Sequence, residues 1–225
     1  TLSIDGRGGN NQGAHGTIRT MIRVKICGNV TLKDTMAAVE AGADAVGFVF
    51  HARSPRVVSP KAVAVIVSHL PPFVTPVGVF VNEKPDVVRQ IASDCGIHLV
   101  QLHGEESPQY CAELKLSVLK GIRVRSRGDL SMLSLYRVKA ILLDAYVEGV
   151  VGGTGTTFDW ALAVEAKAWG PIILAGGLTP DNVVEAISRV QPYGVDVSSG
   201  VEAAPGVKDH AKVRAFVENV KCVGA

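Results

Sequence analysis

The amino-acid sequence predicts an α/β fold, a (β/α)8 TIM barrel in which a parallel eight-stranded barrel is surrounded by outer helices. From residue 21 onward, a short run rich in Val, Ile and Leu is followed by a turn and then by a stretch with helical periodicity. This unit recurs eight times in about 200 residues, which is the count of a TIM barrel. The strand segments are almost continuously apolar, as expected of strands covered on both faces.

The main alternative is an open, doubly wound sheet. Such a sheet usually carries fewer strands and a glycine-rich first turn, and Cys27-Gly28-Asn29 is not such a turn. No linker rich in Pro, Ser or Gly interrupts residues 21–225, so we predict one catalytic domain there. Residues 1–20 are rich in Gly, Asn, Thr and Ser and can bury little, so we expect a disordered N-terminal extension. Met21 is then a candidate natural start.

The predicted elements alternate regularly along the chain. Thr31 and Thr179 are predicted N-caps, because a hydroxyl there can accept from the free amides of a first helical turn. Four prolines fit first-turn positions, where no backbone donor is needed: Pro60, Pro85, Pro108 and Pro180. Strands are predicted at 22–27, 44–50, 75–81, 97–102, 117–122, 139–144, 171–175 and 193–197. Helices are predicted at 32–41, 60–69, 85–94, 108–114, 128–135, 159–167, 180–189 and 208–219.

Composition excludes several classes of function. The net charge is +2, no dense run of Lys and Arg occurs, and aromatic residues make up 5% of the chain, so we expect neither a nucleic-acid partner nor a membrane surface. No apolar run is long enough to span a membrane. The four cysteines are scattered, without a CxxC pair or a His/Cys cluster at metal-binding spacing. We therefore expect a reduced, cytoplasmic protein without a metal site.

Two strand ends carry groups suited to acid–base chemistry, since barrel enzymes keep their reactive groups at the carboxyl ends of the strands. Cys27 follows the first strand, where it is either a small core residue or a general base whose thiolate a nearby cation favours. Lys25 leaves the same face and either lowers the thiol pKa or pairs with an inward aspartate. Asp144 ends the sixth strand, where it is either a partly buried general acid or a cap or ion-pair partner.

Glycine-bearing loops follow the seventh and eighth strands. Gly176 and Gly177 lead into a helix, and Ser199 and Gly200 follow the eighth strand. Glycines let backbone amides approach an anion closely, and these two loops form the usual phosphate site of the fold. We therefore predict a phosphate site in preference to ordinary tight turns. A further run that ends at Gly155 is a phosphate contact, a mobile lid or a flexible loop.

Three further polar residues fall at this end of the predicted barrel. Arg56, in the loop after the second strand, is suited to clamp a substrate carboxylate through two parallel hydrogen bonds, although a loop arginine is more often solvated. Asp196 ends the eighth strand and is a second inward carboxylate. His103 ends the fourth strand, as an acid, a base, a ligand or a hydrogen-bonded structural histidine.

Taken together, these segments resemble the phosphoribosylanthranilate isomerase family of tryptophan biosynthesis. The resemblance runs in order from about residue 23 to about residue 217 and is carried by VKICGNVTLKDTMAAVEAGADAVGFVF, SPRVVSP, VGVFVN, VQLHGEE, ILLDA, GGTGTTFDW, AGGLTPDNV and VDVSSGVE.

The resemblance implies a (β/α)8 fold and an Amadori rearrangement of a small phosphorylated substrate, without a cofactor or a metal. It assigns Cys27 as general base, Asp144 as general acid and Arg56 as the partner of the anthranilate carboxylate. The other matched positions are the phosphate cradle, Gly176, Gly177, Ser199 and Gly200, and Asp196 in the same pocket. We expect a monomer in preference to a homodimer.

Other functions remain as alternatives. A related sugar-phosphate isomerase would need a second aspartate where this chain has Cys27. A barrel epimerase would need a metal-binding set of His and Asp, and the indole-forming synthase would need a lysine acid at a strand end; the sequence shows neither. A catalytically silent barrel would only bind phosphorylated metabolites, and the presence of Cys27, Asp144 and Arg56 argues against it. Phosphate binding without turnover would identify that last class.

Overall fold

Eight parallel strands pair in chain order and close into a barrel in the computed structural model, which describes residues 21–124, 126–144 and 160–224. The first and last strands close it with Lys25 opposite Asp196. This confirms the predicted TIM barrel and excludes the open sheet. The strands are β1 Arg23–Ile26, β2 Ala45–Val49, β3 Thr75–Phe80, β4 Leu99–Leu102, β5 Ser117–Ile122, β6 Ala140–Asp144, β7 Ile172–Ala175 and β8 Gly194–Val197.

Helices cover the outside of the barrel. Between β5 and β6 a 3-10 helix, Arg127–Leu135, takes the place of the α-helix predicted there. Its buried side chains, Leu130 and Leu133, are three residues apart, which suits a helix of three residues per turn. A second 3-10 helix, Lys167–Trp169, extends α5. The α-helices are α1 Leu32–Glu40, α2 Pro60–Val67, α3 Pro85–Cys95, α4 Pro108–Glu113, α5 Trp160–Ala166, α6 Val183–Val190 and α7 His210–Gly224.

The start of α6 differs from the prediction, whereas the Thr31 cap is confirmed by a hydrogen bond of 3.0 Å from the Asp34 amide to its Oγ1. The N-cap of α6 is Asn182, so the predicted Thr179 cap is wrong, and Pro180 lies before the helix. The Asn182 side chain accepts from the Thr179 amide at 2.8 Å and donates to the Gly177 carbonyl at 2.9 Å. These bonds hold the preceding residues in a turn. The other three prolines open their helices as predicted.

A hairpin between β8 and α7 was not predicted. It consists of β9, Glu202–Ala204, and β10, Val207–Lys208, paired antiparallel. Its strands are too short to show an alternating pattern, and α7 consequently begins at residue 210 where the sequence predicted 208. The hairpin carries Glu202 and Lys208, both buried, to the carboxyl end of the barrel.

The apolar core has two layers. Most buried side chains lie between the strands and the helices, and alternate strand positions point into the barrel. Among the described residues, no helix is both long and apolar enough to cross a bilayer. The inner layer consists of Val77, Leu119, Ala140, Leu142, Ile173 and Ala175.

Candidate active site

A cavity of about 420 Å³ opens at the carboxyl end of the barrel. It brings together eight of the nine site residues that the sequence predicted, and the ninth, Gly155, lies outside the described residues. A larger cavity of about 790 Å³ lies at the opposite end, near Phe73, and none of those eight residues lines it. The eight residues are Cys27, Arg56, Asp144, Gly176, Gly177, Asp196, Ser199 and Gly200.

A glycine on the neighbouring strand leaves the space that the Cys27 side chain occupies. A Cβ atom on Gly47 would lie 2.8 Å from the Cys27 sulfur and 3.1 Å from Nζ of Lys25, so no side chain fits there. Asn29 fixes the turn that follows, because its Nδ2 donates to the Ile26 carbonyl at 2.8 Å and its backbone amide donates to the Gly47 carbonyl at 2.9 Å. The thiol therefore lies in a fixed place at the end of β1, only 7% exposed.

Lys25 fulfils both of its predicted alternatives. Its ammonium group donates to Asp196 Oδ1 at 2.8 Å, and both side chains are buried. Burial raises the pKa of the Cys27 thiol, and Asp196 raises it further, while Lys25 and Lys208 lower it; the net pKa is above its ordinary value. Burial lowers the pKa of Lys25, but Asp196 and Cys27 outweigh burial and raise it, so the ammonium stays charged.

Asp144 interacts with a histidine that follows another strand, β4. Its Oδ2 lies 3.2 Å from Nε2 of His103, and Nδ1 of His103 lies 2.9 Å from the Gln101 amide nitrogen. A tautomer with its hydrogen on Nε2 would accept from the Gln101 amide at Nδ1 and donate to Asp144. Nε of Arg123 is 3.9 Å from the same carboxylate oxygen. His103 thus lines the cavity and also serves as a hydrogen-bonded support.

The two glycine loops form one wall of the cavity. Gly176 and Gly177 have φ values of 84° and 65°, which favour glycine. A Cβ atom on Gly200 would overlap the carbonyl oxygen of Leu178, so the loops after β7 and β8 are in contact. The backbone of both loops is therefore accessible from the cavity without an intervening side chain at these positions.

Arg56 forms an ion pair that was not predicted from the sequence. Its guanidinium donates from Nε and Nη2 to the two carboxylate oxygens of Glu202, at 2.7 Å and 2.6 Å. Glu202 also accepts from the ammonium group of Lys208 at 3.0 Å. The only signal in the sequence was the glutamate that ends the VDVSSGVE segment, and its partner lies 146 residues away.

Comparisons with known proteins agree on one family. The family described as N-(5'-phosphoribosyl)anthranilate (PRA) isomerase matches residues 24–219. A protein of Geobacter sulfurreducens named N-(5'-phosphoribosyl)anthranilate isomerase is 55% identical over 201 residues, which cover 89% of this chain and 99% of the relative. A curated relative from Geobacter metallireducens with the same name is also 55% identical, over 89% of this chain and 100% of its own length.

Solved structures give the same result. The phosphoribosyl anthranilate isomerase of Thermotoga maritima is similar with a TM-score of 0.84 and 46% identity, covering 90% of this chain and 100% of that one. A second structure is a complex of the enzyme with reduced 1-(o-carboxyphenylamino)-1-deoxyribulose 5-phosphate, with a TM-score of 0.81, 44% identity and the same coverage. A third is of monomers generated from the dimeric enzyme of T. maritima, with a TM-score of 0.81, 43% identity and again the same coverage.

Proposed function

Since the chain belongs to the N-(5'-phosphoribosyl)anthranilate isomerase family, and is thus an isomerase of tryptophan biosynthesis, we propose that Cys27 and Asp144 are its catalytic base and acid. The reaction converts N-(5'-phosphoribosyl)anthranilate to 1-(2-carboxyphenylamino)-1-deoxyribulose 5-phosphate by an Amadori rearrangement. One observation supports this most: the cavity at the carboxyl end of the barrel is lined by a thiol from β1 and a carboxyl group from β6.

The acid step opens the sugar ring. Asp144 protonates the ribose ring oxygen, the bond from C1 to that oxygen breaks, and the nitrogen lone pair forms a Schiff base with C1. Nε2 of His103 lies 3.2 Å from Asp144 Oδ2, and this contact keeps the carboxyl group oriented. An acid in this position typically contributes about 10²–10⁴-fold to the rate.

The base step moves the double bond. Cys27 removes the proton from C2, the C2–H electron pair forms a C1–C2 double bond, and the electrons of the C1–N double bond return to nitrogen. The resulting enolamine takes a proton at C1 and loses one from its C2 hydroxyl, which gives the ketone. Because burial raises the thiol pKa, the Lys25 ammonium group beside the sulfur is needed to stabilise the thiolate.

The two ends of the substrate are assigned to different groups that line the cavity. We assign the phosphate to the backbone of Gly176, Gly177, Ser199 and Gly200, and the anthranilate carboxylate to Arg56. Asp196 lines the same cavity and holds Lys25 in place. Because the substrate is bound at both ends, its C2 atom is held in a fixed orientation toward the thiol.

The proposal also covers the catalytic domain, its cellular location and its oligomeric state. We assign the activity to a single catalytic domain, residues 21–225, acting in the cytoplasm, where the four free thiols would stay reduced. The disordered state expected for residues 1–20 concerns a segment outside the described residues. The monomer expected from the sequence remains a prediction, and light scattering checks it against the dimer known from T. maritima.

The experiment that tests the function follows anthranilate fluorescence as the purified chain consumes its substrate, with no metal or cofactor added. We expect turnover by the wild type and a loss of about 10²-fold or more in kcat for Asp144→Asn, with phosphate binding retained. Asp181→Asn, an exposed aspartate before α6, is the matched control. Phosphate binding without turnover in the wild type would instead identify a silent barrel, and full activity of Asp144→Asn would remove Asp144 from the mechanism.

A further inference from the structure

Arg56 is held by a side chain from the far end of the sequence. Arg56 lies in the loop after β2, and Glu202 opens the hairpin after β8. The two groups meet through two parallel hydrogen bonds of 2.7 Å and 2.6 Å. This edge-on pairing fixes the plane of the guanidinium group as well as its position.

Glu202 is itself fixed. Its side chain is 5% exposed, and its second partner, Lys208, has a side chain that is fully buried. Lys208 also donates to the Ser198 carbonyl at 3.2 Å, and the Gly206 amide lies 3.4 Å from Glu202 Oε1. Burial raises the pKa of Glu202, but hydrogen bonds from Arg56 and Lys208 outweigh it and hold the pKa below its ordinary value. Glu202 is therefore an ionised anchor and not a surface group that exchanges partners.

The pairing uses only one edge of the guanidinium group. Arginine has five N–H groups, and those of Nη1, with the second of Nη2, lie outside the Glu202 contact. The stem of Arg56 passes over Gly28, where a Cβ atom would be 2.5 Å from Arg56 Cδ. Because Gly28 follows Cys27, the guanidinium group is held beside the base, and Arg56 lines the cavity.

We propose that Glu202, supported by Lys208, is a positioning residue that holds Arg56 ready for the substrate's carboxylate. This inference rests on the role proposed above for Arg56. Without Glu202 the long arginine side chain would sample several rotamers, and each binding event would have to order it. Glu202 should therefore govern substrate affinity through the carboxylate while leaving proton transfer largely untouched.

The test compares two substrates in the full-length enzyme: phosphoribosylanthranilate and its aniline analogue, which lacks the carboxylate. For Glu202→Gln we expect KM for the anthranilate substrate to rise about ten- to hundredfold, with kcat changed less than about threefold and KM for the aniline analogue unchanged. Glu185→Gln removes the carboxylate of an exposed Arg–Glu pair on α6 and is the matched control. Glu202→Asp keeps the charge beside Lys208 and should give an intermediate KM.

The outcomes distinguish the role proposed for Arg56 from the role proposed for Glu202. Arg56→Met should abolish discrimination between the substrates, and Glu202→Gln should have no further effect in that background. If Arg56→Met keeps the discrimination, the proposed role of Arg56 is wrong. Glu202 has only a structural role if Arg56→Met loses the discrimination between the substrates while Glu202→Gln keeps it. The same conclusion follows if Glu202→Gln raises KM equally for both substrates. Should Glu202→Gln fail to fold, Glu202→Asp decides by the same comparison.

Discussion

At the scale of single residues, the chemistry depends on how charges surround one buried thiol. Burial disfavours the Cys27 thiolate, Asp196 disfavours it further, and Lys25 and Lys208 favour it. The sequence predicted that Lys25 shares a face with Cys27, because alternate residues of a strand point the same way. It could not predict the electrostatic effect of Lys208 on the thiol, since the position of Lys208 depends on a hairpin too short to show a pattern.

The first prediction concerns Lys25. In Lys25→Met, the group that lowers the Cys27 pKa is removed and Asp196 remains, so the thiol pKa should rise further. The active form is the thiolate, so the rising limb of kcat/KM against pH should move to higher pH. Activity at neutral pH should then fall about tenfold for each pH unit by which that limb moves. A profile with the wild-type position would contradict this role for Lys25. Circular dichroism at each pH checks that the variant is folded.

At the scale of elements, the regular parts of the fold could be predicted and the irregular connections could not. All eight strands were predicted because continuous apolar runs are a strong local signal. The start of α6 was predicted wrongly because the Asn182 side chain bonds back to Thr179 and Gly177 and holds the residues before it in a turn, so the helix begins only at Val183. The Arg56–Glu202 contact also depends on a connection, since it joins the loop after β2 to the hairpin after β8.

The second prediction concerns the buried ammonium group of Lys120 on β5. It donates to the Leu102 and Gly104 carbonyls at 3.2 Å and 2.7 Å and pairs with Glu106 at 3.0 Å. Glu106 in turn accepts from the Asn82 and Gly104 amides at 2.8 Å and 2.9 Å, so these two side chains anchor the loops after β3 and β4.

Lys120→Met would leave the Glu106 carboxylate buried without its cation, which costs about 3–5 kcal/mol in the free energy of unfolding. Urea denaturation at neutral pH measures this loss. Lys61→Met changes an exposed lysine on α2 and should alter stability by less than about 0.5 kcal/mol. Equal stability of the two variants would show that the Lys120–Glu106 pair does not anchor these loops.

At the scale of the whole molecule, barrel closure gives residues far apart in sequence a common cavity. Cys27 follows β1 and Asp144 ends β6, and β7 and β8 separate these two strands around the ring. Since all parallel strands end at the same rim, the count of eight βα units was enough to predict that these side chains share it. The sequence could not predict the distances across the rim or the hydrogen-bond partners of each side chain, because both depend on how the barrel closes.

The central claim is that the Cys27 thiolate removes the substrate proton, and the most direct test measures turnover and binding together in Cys27→Ala. We predict that kcat falls by about 10²–10⁴-fold. The affinity for reduced 1-(o-carboxyphenylamino)-1-deoxyribulose 5-phosphate, an analogue of the product, should stay within about threefold of wild type. Cys111→Ala, which removes a buried thiol on α4 away from the cavity, should keep wild-type turnover. If Cys27→Ala turns over at the wild-type rate, another group is the base and this account of the site is wrong.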